Sequence, residues 1–434
     1  MDAINNPLLD LSGLPRFSAI RPEHVRPAID AVLTDNRRQR EALLARGSGY
    51  TWDNLVQPLE DMGERLARVW SPVSHLNSVM NNEALRAAYN ECLPLLSEYS
   101  TELAQDERIY AAYKQIAASE EYDRLSAPQR RIIDNTLRDF RLAGAELPPE
   151  KKARFKDVQK ELSQLQSKFS ENVLDATQAW DLVVNDEAAL AGLPETARAL
   201  ARQSAQQAGK DGWRFTLEFP SYVAVMTYAD ERELRRQMYE AYVTRASDQG
   251  PHAGRWDNGP LMVQILKLRR EAAQLLGFAN YAEYALQTRM ARSGAEVMDF
   301  LTDLAARSRP AARRDLEALR QYARAQHGID ALEAWDLAYY SEKLRQARYS
   351  FSEEEVRPYL PDTRVVPGLF QVVQRLYGMA IRPIEGVDVW HPDVRVYEIH
   401  DAAGELRGRF YLDLYARANK RGGAWMDDCI GRKR

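Results

Sequence analysis

The side chains able to do chemistry are few, and their spacing does not suit a compact site. Six histidines (His24, His75, His252, His327, His391 and His400) are spread over 434 residues. A helical zinc site of the H-E-x-x-H kind needs two imidazoles four residues apart, so that both share one face with the intervening glutamate. No two of these six are four apart. The closest, His391 and His400, are nine apart in an alternating stretch. An odd spacing sends them to opposite faces of an unbroken strand, so both are expected to be structural.

The other candidates fare no better. A cysteine nucleophile needs a base nearby and a lowered pKa, and neither Cys92 nor Cys429 has a histidine close in sequence; Cys92 reads as a small buried hydrophobe. Carboxylate pairs such as Asp427 with Asp428, and the run Glu353, Glu354 and Glu355, are expected by number alone among 63 acidic residues. Such runs are usually solvated helix faces. G-x-S-x-G, G-x-x-x-x-G-K-[ST] and G-x-G-x-x-G are all absent. From residue types and spacing alone, no catalytic residue and no metal ligand is assigned.

The elements that would position a site are mostly helical. In "FKDVQKELSQLQSKFSENVLDATQAW", Phe155, Val158, Leu162, Leu165, Phe169 and Val173 recur every three or four residues, which lines one helix face. Similar stripes run through "NLVQPLEDMGERLARVW", "ERELRRQMYEAYVTRA" and "GPLMVQILKLRREAAQLLGF", with glycine or proline at most of their ends. The pattern breaks at "AGAELPPEKK", around residues 143 to 152. That break is taken as a boundary, giving an N-terminal helical domain over 1–150 and a second region over 151–434. After Pro367 a last helical stretch gives way to "VWHPDVRVYEIHDAAGELRGRFYLDLYAR", which alternates with period two on either side of "DAAGEL". A hairpin is the simplest reading. The expected fold is therefore mostly α, a multi-helix body with a small antiparallel β-sheet near the C-terminus.

Composition excludes several function classes. Lys and Arg number 59 against 63 Asp and Glu, a formal net charge of −4, with both signs mixed throughout. A nucleic-acid surface would call for a basic face, and the closing Arg432, Lys433 and Arg434 read as a solvated end. No run approaches the roughly 18 apolar residues a membrane helix needs. The stretch "MDAINNPLLDLSGLPRF" has Asp2 where a secretory signal would want basic residues. Two distant cysteines fit a reducing compartment. The expectations are a cytoplasmic protein with neither nucleic-acid nor membrane partners.

Several phrases together resemble a known family. "LEAWDLAYYSEKLRQARYSFSEEEVRPYLP" (Leu332 to Pro361), "VWHPDVRVYEIHD" (Val389 to Asp401) and "GRFYLDLYARANKRGGAW" (Gly408 to Trp425) are similar to blocks of the thimet-oligopeptidase family of zinc metallopeptidases. "VWSPVSHLNSVMN", "LRDFRLAGAELP", "MYEAYVTRAS" and "LLGFANYAEYALQTRMA" agree in order. The resemblance implies a mostly helical, channel-type peptidase body that cleaves short, extended peptides with zinc. It also implies that an H-E-x-x-H helix should follow the block ending at Trp425. The chain ends on "RGGAWMDDCIGRKR" without one, so it is expected to be truncated before the zinc site. Residues 151–434 would then be an incomplete catalytic region, with no zinc bound and no hydrolysis by this chain alone.

What carries over is a candidate substrate cleft. Phe410 to Tyr415 resembles the family's sheet beside the channel, where an extended peptide lies along an edge strand, and main-chain pairing there binds peptides with little regard to sequence. Tyr411, Asp413 and Tyr415 are the candidates on that strand, while Gly422 and Gly423 let a backbone approach closely. The competing expectation is purely structural, with Phe410, Leu412 and Leu414 packing a core and the alternate residues facing away. Two other functions stay open: a non-catalytic protein that binds peptides or a partner chain, and a helical scaffold unrelated to peptides.

Overall fold

The computed structural model describes residues 6–432, so Asp2, Lys433 and Arg434 lie outside the described residues. The chain divides into two compact units, each discontinuous in sequence. The first takes residues up to Glu171, Asn258–Val297 and the stretch from Asn419 onward; the second takes Asn172–Asp257 and Met298–Ala418.

In the first unit, helices Pro22–Leu44, Gln57–Val79 and Glu83–Ala104 pack around Val25, Ile29, Val69, Val73 and Cys92, all fully buried. The apolar stripe on helix Pro149–Gln178 behaves as its spacing requires. Phe155, Val158 and Leu162 are buried against Ile265, Leu268 and Ala272 of helix Gly259–Leu275, and Arg154 clamps Glu271 through two hydrogen bonds of 2.6 and 2.8 Å. Ahead of that helix the chain breaks between Leu142 and Pro149. Gly144 has φ +85°, a left-handed conformation that glycine adopts without strain.

The second unit holds two small antiparallel sheets. β1 (Asp181–Val184) pairs with β2 (Trp213–Thr216), Leu182 opposite Phe215. Helix Glu195–Gln207 lies between them in sequence. Phe215 points into a core with Leu190, Leu217, Val225 and Met238. This earlier sheet comes in addition to the one the alternation marks. The later sheet has the order β3 (Ala380–Ile384), β4 (Arg395–His400), β5 (Leu406–Leu412). The β4–β5 hairpin around "DAAGEL" forms with Val396 opposite Tyr411 and Tyr397 opposite Phe410, and has an irregularity at Ile399 and His400. Helix Asp362–Tyr377 covers one face, where Phe370 meets Tyr397 and Phe410 edge-on. Among the described residues no helix is long and apolar enough to cross a membrane.

Candidate functional site

In the second unit, β5 is an edge strand. It pairs with β4 on one side, and among the described residues no other strand pairs with it on the far side. Unpaired N–H and C=O groups along such an edge are a template for another extended chain. Arg407 and Arg409 stand on this strand, paired with Asp401, Glu405 and Glu398. They charge the edge, which disfavours indiscriminate strand addition.

The three strand candidates hold one another's surroundings in place rather than standing free. Tyr411 sets its ring against Trp390, with centroids 5.2 Å apart. The Asp413 carboxylate accepts two hydrogen bonds from Arg417, at 2.7 and 2.9 Å, and one from the Trp390 indole at 3.0 Å. Tyr415 donates its hydroxyl to Asp362 at 2.9 Å and accepts from Arg395 at 3.2 Å; Arg395 is also paired with Asp362. The hydrogen bonds from Arg395 and Tyr415 hold the Asp362 carboxyl below its usual range, and the same Asp362 contact pushes the Tyr415 phenol up.

The alternating core reading is half right. Phe410 stacks on Tyr397 at 5.2 Å, but the strand ends at Leu412 and Leu414 is exposed. Once the chain leaves the pleat, period-two alternation no longer decides which side a residue faces.

Tyr415 also borders an open cavity of about 790 Å³, within the range usual for ligand clefts. Its wall includes Tyr228, Glu342, Lys343, Glu354 and Asp362. Burial pushes the Tyr228 phenol up, and the nearby carboxylates of Glu342, Glu354 and Glu353 add to the effect. Glu195, Glu342, Glu354 and Asp362 line this wall with Lys343 and Arg357, and each carboxylate has an arginine partner, so the wall carries no large net charge. Glu342 is held by Arg345 and Gln346, Glu354 by Arg357, and Lys343 by Asp230. None of Trp390, Arg417, Asp362, Arg395 and Tyr228 is singled out by sequence reasoning. Only the i, i+4 spacing of Asp413 and Arg417 carried a local signal.

Gly422 and Gly423 fall in the first unit, in a strap whose backbone is tied to the end of helix Gln57–Val79. The Asn81 N–H donates to the Asn419 carbonyl at 3.1 Å, and the Arg421 N–H to the Ser78 carbonyl at 2.7 Å, filling a helix-end acceptor. Nothing lies within 4 Å of a Cβ built on either glycine, but Gly423 has φ +93°. Gly423→Ala should therefore cost about 1–2 kcal/mol through backbone strain alone, while Gly422→Ala should change stability by no more than about 0.5 kcal/mol. Paired denaturant titrations check both, and equal effects would contradict this account of the strap.

Among the described residues there is no group of three or more His, Cys, Asp or Glu side chains placed to hold an ion. His391 accepts from the Asp393 N–H, and His400 bridges Glu398 and the Gly404 carbonyl.

Comparison with known proteins agrees along the chain. Residues 225–434 match the model for peptidase family M3, and residues 30–152 match the model for the neurolysin/thimet oligopeptidase N-terminal domain. The oligopeptidase A of Escherichia coli K12 is 53% identical over 431 residues, 99% of this chain. That of Haemophilus influenzae is 50% identical over 432 residues, and the E. coli dipeptidyl carboxypeptidase is 29% identical over 431. The chain spans 63% of the length of each of these relatives.

Proposed function

The chain belongs to the thimet-oligopeptidase family, peptidase family M3, and from that premise we propose that the whole protein is a zinc-dependent oligopeptidase hydrolysing short peptides in the cytoplasm. Residues 1–150 are read as its N-terminal helical domain and 151–434 as part of its catalytic region. The two family-model matches, 30–152 and 225–434, support that division. The observation that carries the reading is identity of about half to oligopeptidases A over nearly the entire chain.

Within this reading the 434 residues bind and orient rather than cut. A short peptide would lie extended along the free edge of β5, held by main-chain pairing, with its side chains alternating between faces. The rigid turn after the strand is set by Asp413, Arg417 and Trp390, and its Tyr415 faces the cavity.

The chain alone is expected to leave a quenched fluorescent peptide intact, with or without added zinc, because its described residues offer no donor set. Turnover that zinc supports and a chelator abolishes would overturn this. A second reading is a form that binds peptides or a partner chain without cutting them, for which the free edge of β5 is the supporting feature. Saturable binding of peptide by the protein as it occurs in its source, with no hydrolysis there, would support it over the first.

A further inference from the structure

The open cavity beside Tyr415 is walled wholly by the second unit, and its lining is of two kinds. Pro194, Pro358, Leu360 and Pro361 give it apolar surface, with Leu360 61% exposed. The remaining lining groups are polar and of both signs. Lys343, on helix Leu337–Tyr349, gives one of its three ammonium donors to Asp230 at 3.1 Å. The Glu354 carboxylate accepts from Arg357 at 2.8 Å and from the Thr196 hydroxyl at 3.4 Å. Tyr228 ends helix Phe219–Tyr228 and is half-buried. Among the described residues no group hydrogen-bonds its phenol, although the carboxylates of Glu342 and Glu354 lie near enough to raise its pKa.

Such a lining selects against most ligands. An ion of one sign meets its own sign on the same wall, and a wholly apolar molecule strips water from paired charges without replacing it. A molecule with an ammonium, a carboxylate and an apolar body matches all three kinds of group. We propose that this cavity is a binding site for free short peptides held by their two ends: the α-ammonium donates to the Tyr228 phenol oxygen and the Glu354 carboxylate, the α-carboxylate accepts from Lys343, and the side chains lie on Pro194, Pro358 and Leu360. A volume of about 790 Å³ holds a molecule of dipeptide size. This goes beyond strand pairing at β5, which reads the main chain and ignores the ends. It also needs no hydrolysis, so its failure leaves the proposed function untouched.

Calorimetry on the 434-residue chain with L-leucyl-L-leucine tests the site. The free dipeptide should bind saturably, and its N-acetyl and C-amide forms should each bind at least about tenfold more weakly, since each loses a charge-assisted contact. Tyr228→Phe removes a hydroxyl that has no partner in the fold, so the melting temperature should stay within about 2 °C. The preference for the free over the acetylated amine should nevertheless shrink. Lys343→Met keeps the apolar stem and loses the ammonium, and the preference for the acid over the amide should all but vanish. A merely structural role for either residue would weaken free and blocked forms alike. Equal binding of the free and blocked dipeptides, no saturation in the millimolar range, or preferences that survive both substitutions would overturn the proposal.

Discussion

Asp336→Ala should destabilise the second unit by about 3–5 kcal/mol, the cost of leaving a buried charge without its partner. Asp336 is fully buried and Arg235 is 1% exposed. Its carboxylate accepts from Arg232 at 2.6 and 3.0 Å, from Arg235 at 3.0 Å, and from the Glu333 N–H at 3.0 Å. Arg235 in turn donates to the Ala229 carbonyl at 2.6 Å and lies over the Tyr339 ring at 4.0 Å. Removing the carboxylate strands a guanidinium that water cannot reach; Asp336→Asn, which keeps the shape and one acceptor, should cost less. Urea unfolding followed by tryptophan fluorescence measures the difference, and a loss under about 1 kcal/mol would refute the network's role.

The same residue fixes a pH dependence. Burial pushes the Asp336 carboxyl up, but the hydrogen bonds from Arg232, the Glu333 N–H and Arg235 outweigh it, and the net shift is downward. A carboxyl whose folded pKa lies below its unfolded one stabilises the fold above the unfolded value of about 3.9. That contribution is lost as pH falls through the folded pKa. Wild type and Asp336→Asn should therefore differ most near neutrality and converge in strong acid.

Asp413→Ala is the second large effect, a loss of about 2–4 kcal/mol in the segment after β5. Asp413 and Arg417 side chains are only 10 and 13% exposed. Two charge-assisted bonds and an indole bond disappear together, and the turn carrying Tyr415 loses its anchor. Hydrogen exchange should quicken over residues 412–418 while helix Phe219–Tyr228 stays unchanged. Peptide affinity should fall about tenfold with the loosened edge. Unchanged exchange would mean that Asp413 anchors nothing.

What the sequence made legible was local. The stripe at Phe155, Val158 and Leu162 becomes a buried helix face, and the alternation around "DAAGEL" becomes the β4–β5 hairpin, because both patterns repeat within a few residues. β3 went unseen: "AIRPI" follows a helical run too closely for its five residues to show a period of their own. The β1–β2 pair was missed because nearly thirty residues, including a helix, separate its strands. The pair that shapes the site, Tyr415 with Asp362, and the buried pair Arg235 with Asp336 both join residues remote in sequence. No window of propensity or periodicity reaches that far. Leu414 failed as a core residue because the strand stops two positions earlier. The candidate cleft itself came from resemblance to a family, and spacing alone gave no site.

The most direct test of the account is peptide binding at the free edge of β5, measured by calorimetry on the 434-residue chain. A short extended peptide should bind saturably, be recovered uncut, and lose at least about tenfold in affinity when alternate backbone amides are N-methylated, which removes the donors that strand pairing requires. Equal binding of the methylated peptide, or its failure to compete for the same site, would show that β5 is not the surface that peptides use.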